Sequence, residues 1–129
     1  SIFPKIKFFS AAPHWFTSFH SLGLLQGLFD AMVYMNPRMI MTIWDLCKKG
    51  KYSEALPLQE KLQRYFVFII ESGLIGYSDA AIDKTMGISA GFLEGYTNRV
   101  KAPYKTPPES ILTKLRKRIE NELPELLEY

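Results

Sequence analysis

Two short apolar segments with a helical pattern between them open the chain. Residues 5–9 alternate polar and apolar side chains before a break at Ser10, and residues 28–34 form a second apolar run that contains Asp30. Short β-prone runs bounded by turn residues are typical of strands. Between them, Phe16 and Phe19 fall near helical spacing. The order predicts a βαβ unit, in which a crossover joins two parallel strands.

Four helical segments follow. Pro37 suits the first turn of a helix over residues 38–48, and Ser53 is placed to cap a longer second helix. A third helix is predicted to end at Gly87, and an amphipathic fourth covers residues 109–122. Because two parallel strands alone do not make a stable sheet, further elements are expected beside the predicted pair.

Composition and charge narrow the class of protein. The 129 residues are 47% hydrophobic, which suits a single domain with a real core. The net charge of +3, from 16 basic and 13 acidic residues, is too small to indicate a nucleic-acid partner. The longest apolar run, residues 65–70, is far below the roughly 18 residues that a membrane span needs. A single cysteine, Cys47, suits a reducing compartment and predicts a cytoplasmic location.

An ordered set of local motifs resembles the C-terminal part of the dihydrodipicolinate synthase and N-acetylneuraminate lyase family. The matches are Gly27 before the second apolar run, Pro37 after it, the spacing of Gly50, Glu54 and Ala55, the helix ending "DKTMGI", and the basic-x-Pro of Lys101 and Pro103. Together they cover essentially the whole chain.

The resemblance implies an α/β fold class, namely the C-terminal portion of a (β/α)8 TIM barrel with a C-terminal helical extension. Residues 5–10 would be barrel strand seven and residues 28–34 strand eight. The implied domains are 1–48, a partial barrel with strand 7, helix 7, strand 8 and helix 8, and 49–129, the helical extension.

The same resemblance implies where the chemistry lies. Enzymes of this family form a Schiff base between a strand-six lysine and pyruvate, and a tyrosine moves protons; both residues are expected upstream of Ser1. Ligands of such barrels bind at the C-terminal ends of the strands. The residues expected to line the substrate pocket are Ser10, Ala11, His14, Asp30 and Tyr34. Ala11 to His14 and Tyr34 depart from the family pattern, so the substrate is left open.

Each of these side chains also has a plainer interpretation. Ser10 either donates to a substrate or satisfies its own turn. His14 either contacts substrate or merely caps a helix. Asp30, inside an apolar run, either lines the pocket or meets a buried partner, because a carboxylate there is costly when it is unpaired.

These observations lead to one expectation and one alternative. The chain is expected to be the C-terminal fragment of a pyruvate or 2-keto-acid class I aldolase or lyase that needs no metal or dissociable cofactor. It is expected to be inactive alone, and its start at Ser1 without a methionine favours a cut or processed end. The parent is expected to be a homo-oligomer with no nucleic-acid or membrane partner. The alternative is a non-catalytic α-rich protein-interaction module, in which the two apolar segments are buried helices or a minor hairpin.

Overall fold

Helices make up most of the protein. The computed structural model describes residues 6–128. Within this range the α-helices are Phe16–Ser21 (α1), Pro37–Lys48 (α2), Tyr52–Ser72 (α3), Asp79–Ala90 (α4) and Glu109–Glu122 (α5). Short 3-10 helices are formed by Pro13–Trp15, Ala31–Tyr34 and Pro124–Leu127. The strands are Phe9–Ser10 (β1) and Gly27–Leu28 (β2).

The expected α/β fold class, with the last two strands of a TIM barrel, is wrong. The two segments do pair in parallel, with Phe9 opposite Gly27 and α1 between them in the chain, but each strand has only two residues. Such a sheet cannot form a layer of the fold, and the helices supply the core instead. The protein is therefore mostly helical with a minimal two-stranded sheet. Lys5, where the first predicted strand begins, lies outside the described residues.

Asp30 gives the physical reason why the second strand is short. Its Oδ1 atom accepts a hydrogen bond from the Met32 N–H at 2.9 Å, and the 3-10 helix Ala31–Tyr34 starts directly after it. An aspartate that bonds to the backbone two residues further on competes with a strand ladder. Met32 is buried in this run, whereas Phe29, Val33 and Tyr34 are exposed, so the apolar run marks neither an extended strand nor a fully buried segment.

The predicted helix over residues 38–48 is confirmed as α2. Asn36 caps it, since its Oδ1 accepts a hydrogen bond from the Met39 N–H at 2.8 Å, and Pro37 occupies the first turn. The expected domain boundary after residue 48 falls at the end of this helix, where Gly50 has a φ of 71° and the chain turns into α3. That conformation is open to glycine at little cost.

Two helices differ from their predicted bounds. α3 begins one residue before Ser53 and contains Pro57 in its interior, beyond its first turn. α4 continues past Gly87 to its end at Ala90. A Cβ on Gly87 would lie 2.7 Å from the Leu93 side chain and 3.3 Å from the Tyr34 carbonyl oxygen. This glycine allows α4 to pack closely against the Ala31–Tyr34 turn rather than ending the helix.

One hydrophobic core joins α2, α3, α4 and α5 with Phe16 at the start of α1. Its largest fully buried side chains are Phe16, Met35, Ile43, Leu62, Tyr65, Phe68, Ile69, Leu74, Met86, Leu115, Ile119 and Leu126. Within residues 6–128, none of the helices has both the length and the apolar character needed to cross a membrane.

Candidate functional site

A half-open cleft of about 900 Å³ lies where β2 and the Ala31–Tyr34 turn meet α2, α3 and α4. Most of its wall is apolar, and the inner part of that wall includes Met32, Ile40, Trp44, Phe66, Ile69 and Met86. Phe9 and Phe29 also line it and are largely exposed. A cleft of this size with an apolar wall and a few polar groups is the usual form of a small-molecule site.

Close packing between the strands shapes one side of the cleft. The Phe9 ring lies against Gly27 where a Cβ would stand, so a larger residue opposite Phe9 would require this exposed ring to move. Gly87 permits a similar approach of α4 to the backbone of Tyr34. These two glycines bring β1, β2, the turn and α4 together around the same space.

Asp30 is the carboxylate that the turn presents to this cleft. While Oδ1 is held by the Met32 N–H, Oδ2 is buried and has no hydrogen-bond partner among residues 6–128. Burial raises the pKa of this carboxyl above its ordinary 3.8, opposed by the Met32 N–H and by the nearby His14. Asp30 therefore contributes a carboxyl group to this side of the cleft, with its Oδ2 atom closed off from solvent.

The structure separates the five predicted pocket residues into two groups. Asp30 and Tyr34 line the cleft together. Ser10, Ala11 and His14 are not among its lining residues. The buried Ser10 hydroxyl donates to the Ala12 carbonyl at 3.0 Å, which is the plainer of its two interpretations.

His14 and Ala11 flank the turn after β1. The His14 ring meets the Phe66 ring edge-on with centroids 5.9 Å apart, and its backbone carbonyl accepts a hydrogen bond from Gln59. Ala11 is exposed. His14 therefore influences the cleft electrostatically through Asp30 rather than by lining it.

Two acidic residues that line the cleft were not predicted from the sequence. Asp79 and Asp83 lie one turn apart on α4 and line the side facing Asp30's turn. The pKa of Asp83 is raised, first by burial and then by the charge of Asp79. Their i, i+4 spacing was readable in the sequence, but acidic pairs on a helix are common on solvated faces, so the spacing alone carried no signal.

Several basic side chains away from the cleft form ion pairs. Lys48 pairs with Asp45 at 2.7 Å and Lys51 with Glu54 at 2.9 Å, both at the surface. In the basic stretch 114–118, Arg118 pairs with Glu122 at 3.0 Å. In the described part of the chain, no group of three or more His, Cys, Asp or Glu side chains converges to hold a metal ion.

Comparison of the chain with protein-family models matches no family, and comparison with curated proteins gives no match.

Proposed function

We propose that the chain is part of a Schiff-base-forming aldolase or lyase acting on pyruvate-type 2-keto acids, as its motifs resemble those of the dihydrodipicolinate synthase and N-acetylneuraminate lyase family. The proposal concerns the reaction and the residues; the fold of this chain is the helical one described above. The observation that carries it is the cleft, which unites Asp30 and Tyr34 just after β2. In this proposal the chain supplies a pocket wall in a cytoplasmic homo-oligomer with no metal, cofactor, nucleic-acid or membrane partner.

The reactive lysine of such an enzyme has to come from another segment. Schiff-base chemistry needs a lysine that is held neutral in a desolvated pocket. Among the described residues no lysine lines the cleft. Lys48, Lys51 and Lys61 pair with carboxylates at the surface, away from a desolvated pocket. The isolated chain is therefore expected to be inactive.

Exposed apolar side chains beside the strands support a larger parent. Phe8, Phe9 and Phe29 are 53%, 60% and 77% exposed. Leu24, in the same region of the chain, is 51% exposed. Several large apolar side chains exposed in one region of the chain are more typical of an interface than of a solvated face. The rest of the proposed enzyme would cover it.

A second candidate is a non-catalytic α-rich interaction module. The same exposed phenylalanines, together with the predominance of helices, favour it, since a partner protein would cover them equally well. A module of this kind would form no covalent adduct with a keto acid, and that difference separates the two candidates.

Borohydride trapping on the intact parent protein tests the proposal. The parent is incubated with pyruvate and sodium borohydride, and its mass is measured. The proposed enzyme forms an imine from a lysine amine and the keto carbon with loss of water, and hydride reduction makes the adduct permanent. We expect a mass increase of one pyruvate, less water, plus two hydrogens. An unmodified parent in pyruvate, with a known class I aldolase modified alongside, would favour the interaction module.

A further inference from the structure

The charged groups that line the cleft share one sign. Among the described residues, its charged lining side chains are Asp30, Asp79 and Asp83, and no lysine, arginine or histidine lines it. They approach from two directions, Asp30 from the turn after β2 and the other two from α4. A concave apolar surface that carries several carboxylates concentrates negative potential inside it.

Nearby basic groups do not neutralise this charge within the cleft. His14 acts on Asp30 electrostatically, but its ring packs against Phe66 outside the lining. Lys84, next to Asp83 in sequence, is exposed and donates to the Arg99 carbonyl at 2.8 Å. The buried Oδ2 of Asp30 has no hydrogen-bond donor beside it among the described residues, so no such donor offsets the charge of the carboxylate at that atom.

Aromatic side chains form much of the remaining wall. Tyr34, Trp44 and Phe66 line the cleft, and so does the largely exposed Phe29. The face of an aromatic ring attracts cations through its quadrupole, with tryptophan the strongest. Carboxylates and aromatic faces around an apolar space together select a positively charged group on an apolar body.

We propose that the cleft binds a primary amine with an apolar body, whose ammonium group is attracted by the carboxylates of Asp30, Asp79 and Asp83. The inference goes beyond the proposed reaction and does not depend on Schiff-base chemistry. In the proposed enzyme it means that the keto-acid carboxylate binds elsewhere, because these carboxylates would repel it, and that an amine-bearing portion of a substrate or product faces this wall.

Three probes of one shape test this on the 129-residue chain. Phenethylamine, 2-phenylethanol and phenylacetate offer the same ring with a cationic, a neutral and an anionic end. Calorimetry and amide chemical shifts would report affinity and location. We expect phenethylamine to bind at least about tenfold more tightly than the alcohol, as a charge-assisted hydrogen bond allows, and phenylacetate to bind most weakly.

Matched variants assign the effect to the cleft. Asp30→Asn retains an oxygen for the Met32 N–H and removes the charge, while Asp83→Asn removes the charge on α4. Asp45→Asn, at an exposed carboxylate that pairs with Lys48, is the control. We expect about a tenfold loss of amine affinity in the first variant, a smaller loss in the second and none in the control.

Several results would overturn the inference. They are an amine that binds no better than phenylacetate, an absence of binding by all three probes, or amine binding unchanged in both Asp30→Asn and Asp83→Asn. If Asp30→Asn fails to fold by circular dichroism, the Asp83→Asn result decides. Pyruvate trapping of the parent is independent of these outcomes, so failure here leaves the proposed reaction standing.

Discussion

Replacement of Asn36 by alanine tests how the C-terminal end of the chain is fixed to α2. Asn36 is almost fully buried and makes three hydrogen bonds. Its Oδ1 accepts from the Met39 N–H at 2.8 Å, and its Nδ2 donates to the carbonyls of Leu126 at 3.2 Å and Glu128 at 2.9 Å. One side chain therefore caps α2 and holds a segment 90 residues away.

The size of the effect follows from these three bonds. Loss of an asparagine cap costs about 1 kcal/mol. Loss of the bond to the Leu126 carbonyl, in a fully buried residue, costs about 1 to 1.5 kcal/mol more because the acceptor is left without a donor. The Glu128 carbonyl adds little, since Glu128 is exposed and water can replace the amide. Asn36→Ala should therefore lower the free energy of unfolding by about 2 to 3 kcal/mol.

Urea denaturation followed by circular dichroism measures this change, and the melting temperature should fall by roughly 8 °C for a domain of this size. Asn36→Ser retains a capping oxygen but not the donors, so about half of the loss is expected. Thr42→Ala, which removes an exposed hydroxyl on the same helix, should stay within about 0.5 kcal/mol. If Asn36→Ala is no more destabilising than Thr42→Ala, the inferred connection between α2 and the C-terminal segment is wrong.

Two further predictions concern Gln59 and Asp30. Gln59→Ala should destabilise the protein by about 2 kcal/mol in the same urea assay. The reason is that the buried Gln59 amide accepts a hydrogen bond from the Thr17 N–H at 3.0 Å and donates one to the His14 carbonyl. A loss below about 0.5 kcal/mol would contradict this expectation. The raised pKa of Asp30 means that the native state binds this proton more tightly than the unfolded state, so the carboxyl's contribution to stability falls as pH rises from 3.8 through the raised pKa. The free energy of unfolding of Asp30→Asn relative to wild type should therefore increase with pH across this window, and a difference that is flat or decreasing would refute the assignment.

The helical part of the fold was predictable because its signals are local. Asn36 and Pro37 mark the start of α2, and the positive φ of Gly50 explains the break after it. The second strand is shorter than predicted because the Met32 N–H donates a hydrogen bond to the Asp30 side chain. This bond outweighs the apolar character of residues 28–34. Periodicity cannot distinguish a short apolar strand from a short apolar turn of the same hydrophobicity.

The candidate site was predictable only in part. A carboxylate inside an apolar run singled out Asp30 without any tertiary information. Its companions on α4 depend on packing, since Gly87 allows that helix to approach the turn, and the sequence presented this glycine as a helix end. Ser10 shows the converse, because its polar side chain is bound within its own turn.

A crystal structure of the 129-residue chain with phenethylamine tests the central claim most directly, namely that the cleft beside Asp30 is a binding site of acidic and aromatic character. We predict an ordered amine whose nitrogen lies within ion-pair distance of the carboxylate of Asp30, Asp79 or Asp83 and whose ring contacts Trp44 or Phe66. A cleft that stays empty under saturating amine, or one in which the ammonium group points away from all three carboxylates, would contradict the claim.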